Sequence, residues 1–176
     1  MRLNLYLIAF SATLSAALLG TSCAPKPTTV PSATIPLATS LVVHKRAHVL
    51  RVYGGKRLLR EFRVALGKGG LGPKVRQGDG LVPEGRYVIA GRNPNSAFHL
   101  SLHISYPTPE QVKVAVAKGI RPGGQIMIHG LPNGQENVGD SHQKTDWTDG
   151  CIAVTNREIE WLWQSVRNDT PILIVP

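Results

Sequence analysis

A cysteine and a histidine lie 22 positions apart in the second half of this 176-residue chain, each where an apolar run meets a glycine. Gln125-Ile126-Met127-Ile128 ends in His129-Gly130, and Asp146-Trp147-Thr148-Asp149-Gly150 leads into Cys151-Ile152-Ala153-Val154. The Asp-Gly turn delivers Cys151 onto the first residue of a strand. Both reactive groups therefore sit at strand-to-loop transitions, where a rigid scaffold presents functional side chains. A free thiol with a pKa near 8.5 is only about 3% thiolate at neutral pH. An imidazole within proton-sharing reach can lower that pKa and then carry the proton to a leaving amine. Gly150 lets backbone approach closely, and the amides of Gly150 and Cys151 can converge on one oxyanion. The chemistry this pattern supports is nucleophilic acyl transfer.

Other readings use the same residues. A buried, inert Cys beside a hydrogen-bonded core His needs no function at all. Zinc would draw on His129, His142, Cys151 and an Asp, but the chain has no close ligand pair such as CxxC or HExxH, so no metal is expected. Thiol acyl transfer requires no cofactor, and none is expected.

The elements that must position these residues are mainly β. Leu41–Val43, Val49–Tyr53, Leu58–Val64, Tyr87–Ile89, Phe98–Tyr106, Gln125–His129 and Pro171–Val175 read as short strands. Gly54-Gly55 marks a hairpin between the second and third. Thr108-Pro109-Glu110-Gln111 opens one helix, and Thr155-Asn156-Arg157-Glu158 opens an amphipathic second one. The expectation is a mainly-β (α+β) domain, two-layered and sandwich-like, with two short helices. Residues 41–176 are enough for one real core. His99 and His103 alternate with Leu100 and Leu102, so they share a strand face. Arg92 and Ser96 fall in a polar stretch read as a loop able to touch a carboxylate-bearing peptide.

Residues 1–22 pair Arg2 with an apolar run and small residues Gly20-Thr21-Ser22, the pattern of an export signal rather than a membrane span. Cys23 follows at once, and the arrangement resembles the lipobox of bacterial lipoproteins. That resemblance implies a lipid anchor on Cys23 and a cell-envelope, periplasm-facing protein held to a membrane. Residues 23–40, rich in Pro, Thr, Ser and Ala, read as a semi-extended tether. The charge is lopsided: His44–Arg92 holds 12 Lys/Arg against 3 Asp/Glu, whereas Asn93–Pro176 holds 6 against 8. Outside the cytoplasm the basic half suits anionic polymers or headgroups, and no nucleic-acid partner is expected.

His129-Gly130 with Thr148-x-Gly150-Cys151 downstream, together with Gly78-Asp79 and Pro83-Glu84-Gly85, resembles the signature of YkuD-type L,D-transpeptidases. These are bacterial cell-wall enzymes with a Cys nucleophile and a β-rich catalytic domain. The resemblance spans Leu41–Pro176, and Asp146–Asn156 is especially similar to the YafK-like subgroup, which includes a member that cuts the bond between a lipoprotein and peptidoglycan. It implies Cys151 as nucleophile, His129 as base, the Gly130 carbonyl as the group orienting the ring, and Gly150 beside the oxyanion. The implied partners are peptidoglycan stem peptides and a wall-attached lipoprotein. The outcome is transfer through a thioester, with hydrolysis of cross-links or a non-catalytic peptidoglycan-binding lipoprotein as the competing outcomes. Asp149 stands where many members have His, and Ala153 where many have Arg or Asn, so Asp149 joins Arg92 and Ser96 as an expected substrate contact.

Overall fold

The structure is a computed structural model that describes residues 34–176; the segment 1–22, Cys23 and most of the expected tether lie outside the described residues. Its elements in chain order are β1 (Ser40–His44), β2 (Val49–Gly54), β3 (Arg57–Arg63), β4 (Gly85–Ser96), β5 (His99–Ile104), α1 (Pro109–Ala117), β6 (Met127–His129), a 3-10 segment (Glu136–Lys144), β7 (Ile152–Ala153), α2 (Asn156–Ser165) and β8 (Pro171–Val175).

All eight strands join one sheet in the order β3-β2-β1-β8-β4-β5-β6-β7. The expected two layers are two halves of this curled sheet. The twelve-residue β4 serves both, pairing with β8 through Gly85–Val88 and with β5 through Ile89–Ser96. Its second half is the stretch read from sequence as a loop. Polar residues there broke the apolar alternation, yet the backbone pairs with β5, with register shifts on either side of Gly91–Asn93.

Alternation explains the core. Leu41 and Val43 of β1, Leu50 and Val52 of β2, and Ile172 and Ile174 of β8 turn one face inward. They meet Ile89, Leu102, Ile104, Ile128 and Ile152 from the other half of the sheet, and Ile159 and Leu162 of α2 pack into the same cluster. Each such side chain contributes about 1.5–3 kcal/mol on burial. Both helices start on full capping boxes, Thr108 with Gln111 and Thr155 with Glu158, as their sequences indicate.

The folded unit begins upstream of Leu41. Ser165 Oγ donates to Pro36 O (2.7 Å), Ala38 N to Ser165 O (2.9 Å) and Thr39 N to Tyr53 O (2.7 Å). These bonds fasten a proline-containing stretch whose composition alone reads as tether.

Between β3 and β4 the chain makes a long glycine-rich excursion that closes against the cysteine strand. Ala65 exchanges backbone bonds with Ala153 (3.0 and 2.8 Å), and Lys68 N donates to Thr148 O (2.9 Å). Two buried ion pairs hold it. Lys45, wholly buried, donates to Gly72 O (2.6 Å), Val82 O (3.0 Å) and Glu84 Oε1 (2.9 Å). Asp79 accepts from Lys74 Nζ (2.7 Å) and from the amides of Val75, Arg76 and Leu81. Burial works against the Asp79 charge, but Lys74 and the three amides outweigh it and hold the carboxyl at about 2 rather than 3.8. A depressed carboxyl pKa stabilises the fold above the unfolded value and loses that contribution as pH falls through the folded one. Asp79→Asn should therefore destabilise the protein by roughly 2 kcal/mol at neutral pH. Chemical unfolding at several pH values should show the gap to the native chain closing between about pH 4 and pH 2.

Candidate active site

Strands β6 and β7 run parallel, with Ile128 opposite Ile152 and His129 opposite Ala153. Cys151, one residue ahead of β7, therefore falls level with Met127. Residues two apart on a strand share a face, so Cys151 and His129 lie one diagonal step apart on the same side of the sheet. The sequence-distant pair is brought together by strand register.

His129 is only 3% exposed, packed between Phe98 (ring centroids 4.4 Å apart) and the edge of Trp147 (5.7 Å). Its Nδ1 lies 2.7 Å from Gly130 O. A carbonyl can only accept, so Nδ1 carries the proton and Nε2 presents a bare lone pair. Burial pushes the imidazole pKa down; the Gly130 bond opposes this and the neighbouring His142 adds to it. Gly130 has no room for a side chain: a Cβ would lie 2.6 Å from Asn156 Oδ1. That same oxygen accepts from Leu131 N (2.8 Å), tying the start of α2 to the loop after His129.

The thiol is partly buried, and its hydrogen bond goes to Gln125 O (3.5 Å) rather than to the His129 ring. Gln125 is held at φ +57°, an uncommon backbone for a residue with a side chain. Burial pushes the Cys151 pKa up; the Met127 amide opposes this, Asp149 adds to it and Lys74 opposes it. Sequence reasoning expects imidazole to lower the thiol pKa. Burial instead moves the thiol pKa up and the imidazole pKa down, so both shifts favour the neutral forms.

The loop before Cys151 is pinned by two side chains of the motif to which the sequence assigned no role. Asp146 accepts from Leu66 N (2.7 Å) and lies 3.0 Å from His48 Nε2. Thr148 Oγ1 donates to Cys151 O (2.8 Å) and accepts from Gly150 N (3.2 Å). The Gly150 N–H is thereby engaged by the Thr148 hydroxyl. Gly150 is required for space and conformation: its φ is +117° and a Cβ would lie 2.8 Å from Leu81 O.

A groove of about 720 Å³, walled by Lys74, Gln77, Arg121, Gly123, Gln125 and Asp149, adjoins the cysteine through Gln125, whose carbonyl accepts from the thiol, and Asp149. Asp149 is at this groove, as expected, in an exposed ion pair with Lys68 (2.7 Å). Arg92 is not: its guanidinium donates to Trp163 O and stacks 4.0 Å above the Trp163 ring. Ser96 is buried, and its Oγ accepts from Phe98 N (3.0 Å), so it shapes the β4–β5 turn instead of facing a ligand. His99 pairs with Glu160 (2.8 Å). Among the described residues no three His, Cys, Asp or Glu side chains gather as a metal site, and no helix is long and apolar enough to cross a membrane.

The curled sheet carrying this site is the fold of the L,D-transpeptidases: that of Xylanimonas cellulosilytica superposes with a TM-score of 0.54 at 16% identity, over 80% of this chain and 61% of that one. The sequence reaches the same class, since residues 38–174 match the YkuD family, the L,D-transpeptidase catalytic domain, and the chain belongs to that family. YafK of Escherichia coli (strain K12) is 32% identical over 112 residues, which are 62% of this chain and 37% of that protein. The chain thus spans well under half the length of this curated relative. The helical cell shape determining protein Pgp2 of Campylobacter jejuni superposes with a TM-score of 0.61 at 25% identity, covering 80% of this chain and 50% of that one.

Proposed function

We propose that this domain is a cell-envelope L,D-transpeptidase that works on peptidoglycan stem peptides through a thioester on Cys151. The observation that carries the reading is the parallel β6–β7 register, which sets Cys151 beside a His129 whose Nε2 is free to take a proton. Family membership and the cell-shape role named for Pgp2 support the substrate class. In the acylation step the thiol proton passes to His129 Nε2 as sulfur attacks the amide carbonyl. The Cys151 amide takes the developing oxyanion, the role left to it by the engaged Gly150 N–H. The C–N bond then breaks, the C–S bond remains, and His129 gives the proton to the departing amine. An incoming amine reverses the sequence and releases the thiol; water in its place gives hydrolysis from the same intermediate.

Stem peptides carry free carboxylates, and the groove meets them with Arg121. A lipid on Cys23 would hold the domain at a membrane, with a wall-attached lipoprotein as a further substrate. The test is incubation of the protein with muropeptides, with and without a D-amino acid, followed by mass analysis. A Cys151 acyl adduct with exchanged products is the expected result; absence of any adduct overturns the reading.

The raised Cys151 pKa and the bond to Gln125 O favour a second reading, a domain that binds peptidoglycan without cutting it. Under it, iodoacetamide would label Cys151 equally fast with and without the His129 imidazole.

A further inference from the structure

His142 is 5% exposed, and neither of its ring nitrogens has a protein partner; Trp147 Nε1 is likewise buried and unpartnered. Unmet buried donors and acceptors cost about 1–3 kcal/mol each, so a native fold keeps them where something polar can meet them. Both side chains line a cavity of about 240 Å³ whose remaining walls include Leu131, Pro132, Gln135 and Val138. It shares no lining residue with the groove beside Cys151. Trp147 stands between this cavity and the catalytic imidazole: its ring meets His129 at 5.7 Å and His142 at 6.4 Å between centroids.

Electrostatics separate the two hollows. The groove is lined by Arg121, with Lys74 already paired to Asp79 and Asp149 already paired to Lys68, which leaves a cation to meet an anionic donor. No Lys or Arg lines the cavity, and Asp140 lies near enough to bias the His142 charge; the same 3-10 segment carries Glu136 and Lys144. An acceptor amine is largely cationic at neutral pH and is drawn to the acidic side. Hydrolysis needs room for one water, about 30 Å³, and this cavity holds far more.

We propose that the His142–Trp147 cavity is the binding site of the amine-bearing acceptor, an amino-acid-sized group whose polar atoms satisfy the imidazole and the indole N–H. This rests on the acyl-transfer reading above. The bound ammonium first sheds one proton to solvent, and the neutral amine reaches past Trp147 to the thioester; its nitrogen forms the new C–N bond as C–S breaks, and its second proton passes through His129 to the Cys151 sulfur.

The test uses the full chain with a disaccharide tetrapeptide donor and sub-saturating D-alanine, reading the ratio of exchanged to hydrolysed product by mass analysis. His142→Phe, which removes both nitrogens, should lower that ratio at least tenfold. His142→Asn, which keeps a donor and an acceptor, should recover most of it. Trp147→Phe gives an independent loss should His142→Phe fail to fold. A ratio indifferent to both His142→Phe and Trp147→Phe, in a native chain that does acylate, overturns the assignment alone. A native Cys151 that takes up no donor overturns the acyl-transfer reading and this site with it.

Discussion

Cys151→Ser is expected to reduce acyl-adduct formation and product release by roughly 10⁴-fold or more, the scale of nucleophile losses in enzymes whose catalytic residues act as a unit. The hydroxyl is a far poorer acid than the thiol, and its only base is a His129 whose pKa is already pushed down by burial. Proton transfer from Ser would thus be strongly uphill. The fold should survive. A serine hydroxyl can keep the bond to Gln125 O, and Thr148 and Asp146 hold the loop through groups that the substitution does not touch. The thermal midpoint should move by a few degrees at most, corresponding to a change of about 1 kcal/mol or less. Whole-protein mass after incubation with a carbapenem or a stem peptide reads the first effect, and calorimetry the second. A serine variant that still accumulates adduct would place the acylated residue elsewhere.

The contrast between the two reactive side chains and their surroundings shows what a sequence can carry. His129 and Cys151 stood out because one ends and the other starts an apolar run beside a glycine, a local signal. The capping boxes at Thr108 and Thr155 are equally local, and both helices begin on them. The residues that aim the site are not local. Asp146 reaches Leu66 and His48, 80 and 98 positions away, and Lys45 reaches Glu84 across 39. No spacing rule encodes such pairs. Gln125 offers its carbonyl to the sulfur because its backbone is left-handed, a conformation that glutamine does not advertise. The position of Arg92 was hidden for a similar reason: a polar run reads as loop, but Arg92 lies in β4 and the Trp163 ring on α2 supplies its stacking partner. Lys74 and Arg121, which line the groove, come from segments far apart in the chain, so their convergence appears only in three dimensions.

His129→Gln separates an enzyme from a binding module most sharply, because it alters rate and pH dependence together. Glutamine can still occupy the slot between Phe98 and Trp147, but it cannot accept a proton near neutral pH. Acylation should fall by about 10²–10⁴-fold, the range for loss of a positioned general base. The pH profile carries the sign. Burial depresses the His129 pKa, so the imidazole is neutral and basic at and above its ordinary range, and becomes protonated only below about 6.5. Burial raises the Cys151 pKa, so thiolate formed without a base appears only at alkaline pH, above the ordinary thiol value of about 8.5. The native rate should therefore be level through neutrality and fall on the acid side. His129→Gln should lose that level region and climb roughly tenfold per pH unit toward alkali, following the thiolate fraction alone. Iodoacetamide labelling of Cys151 gives the same comparison without substrate. Stability moves in step, because a buried neutral imidazole binds fewer protons than an unfolded one: acid below about pH 6.5 should destabilise the native chain more than the variant. Superimposable profiles for the two proteins would mean that the imidazole never handles the proton, and Cys151 would then be a sulfur lodged in a binding fold.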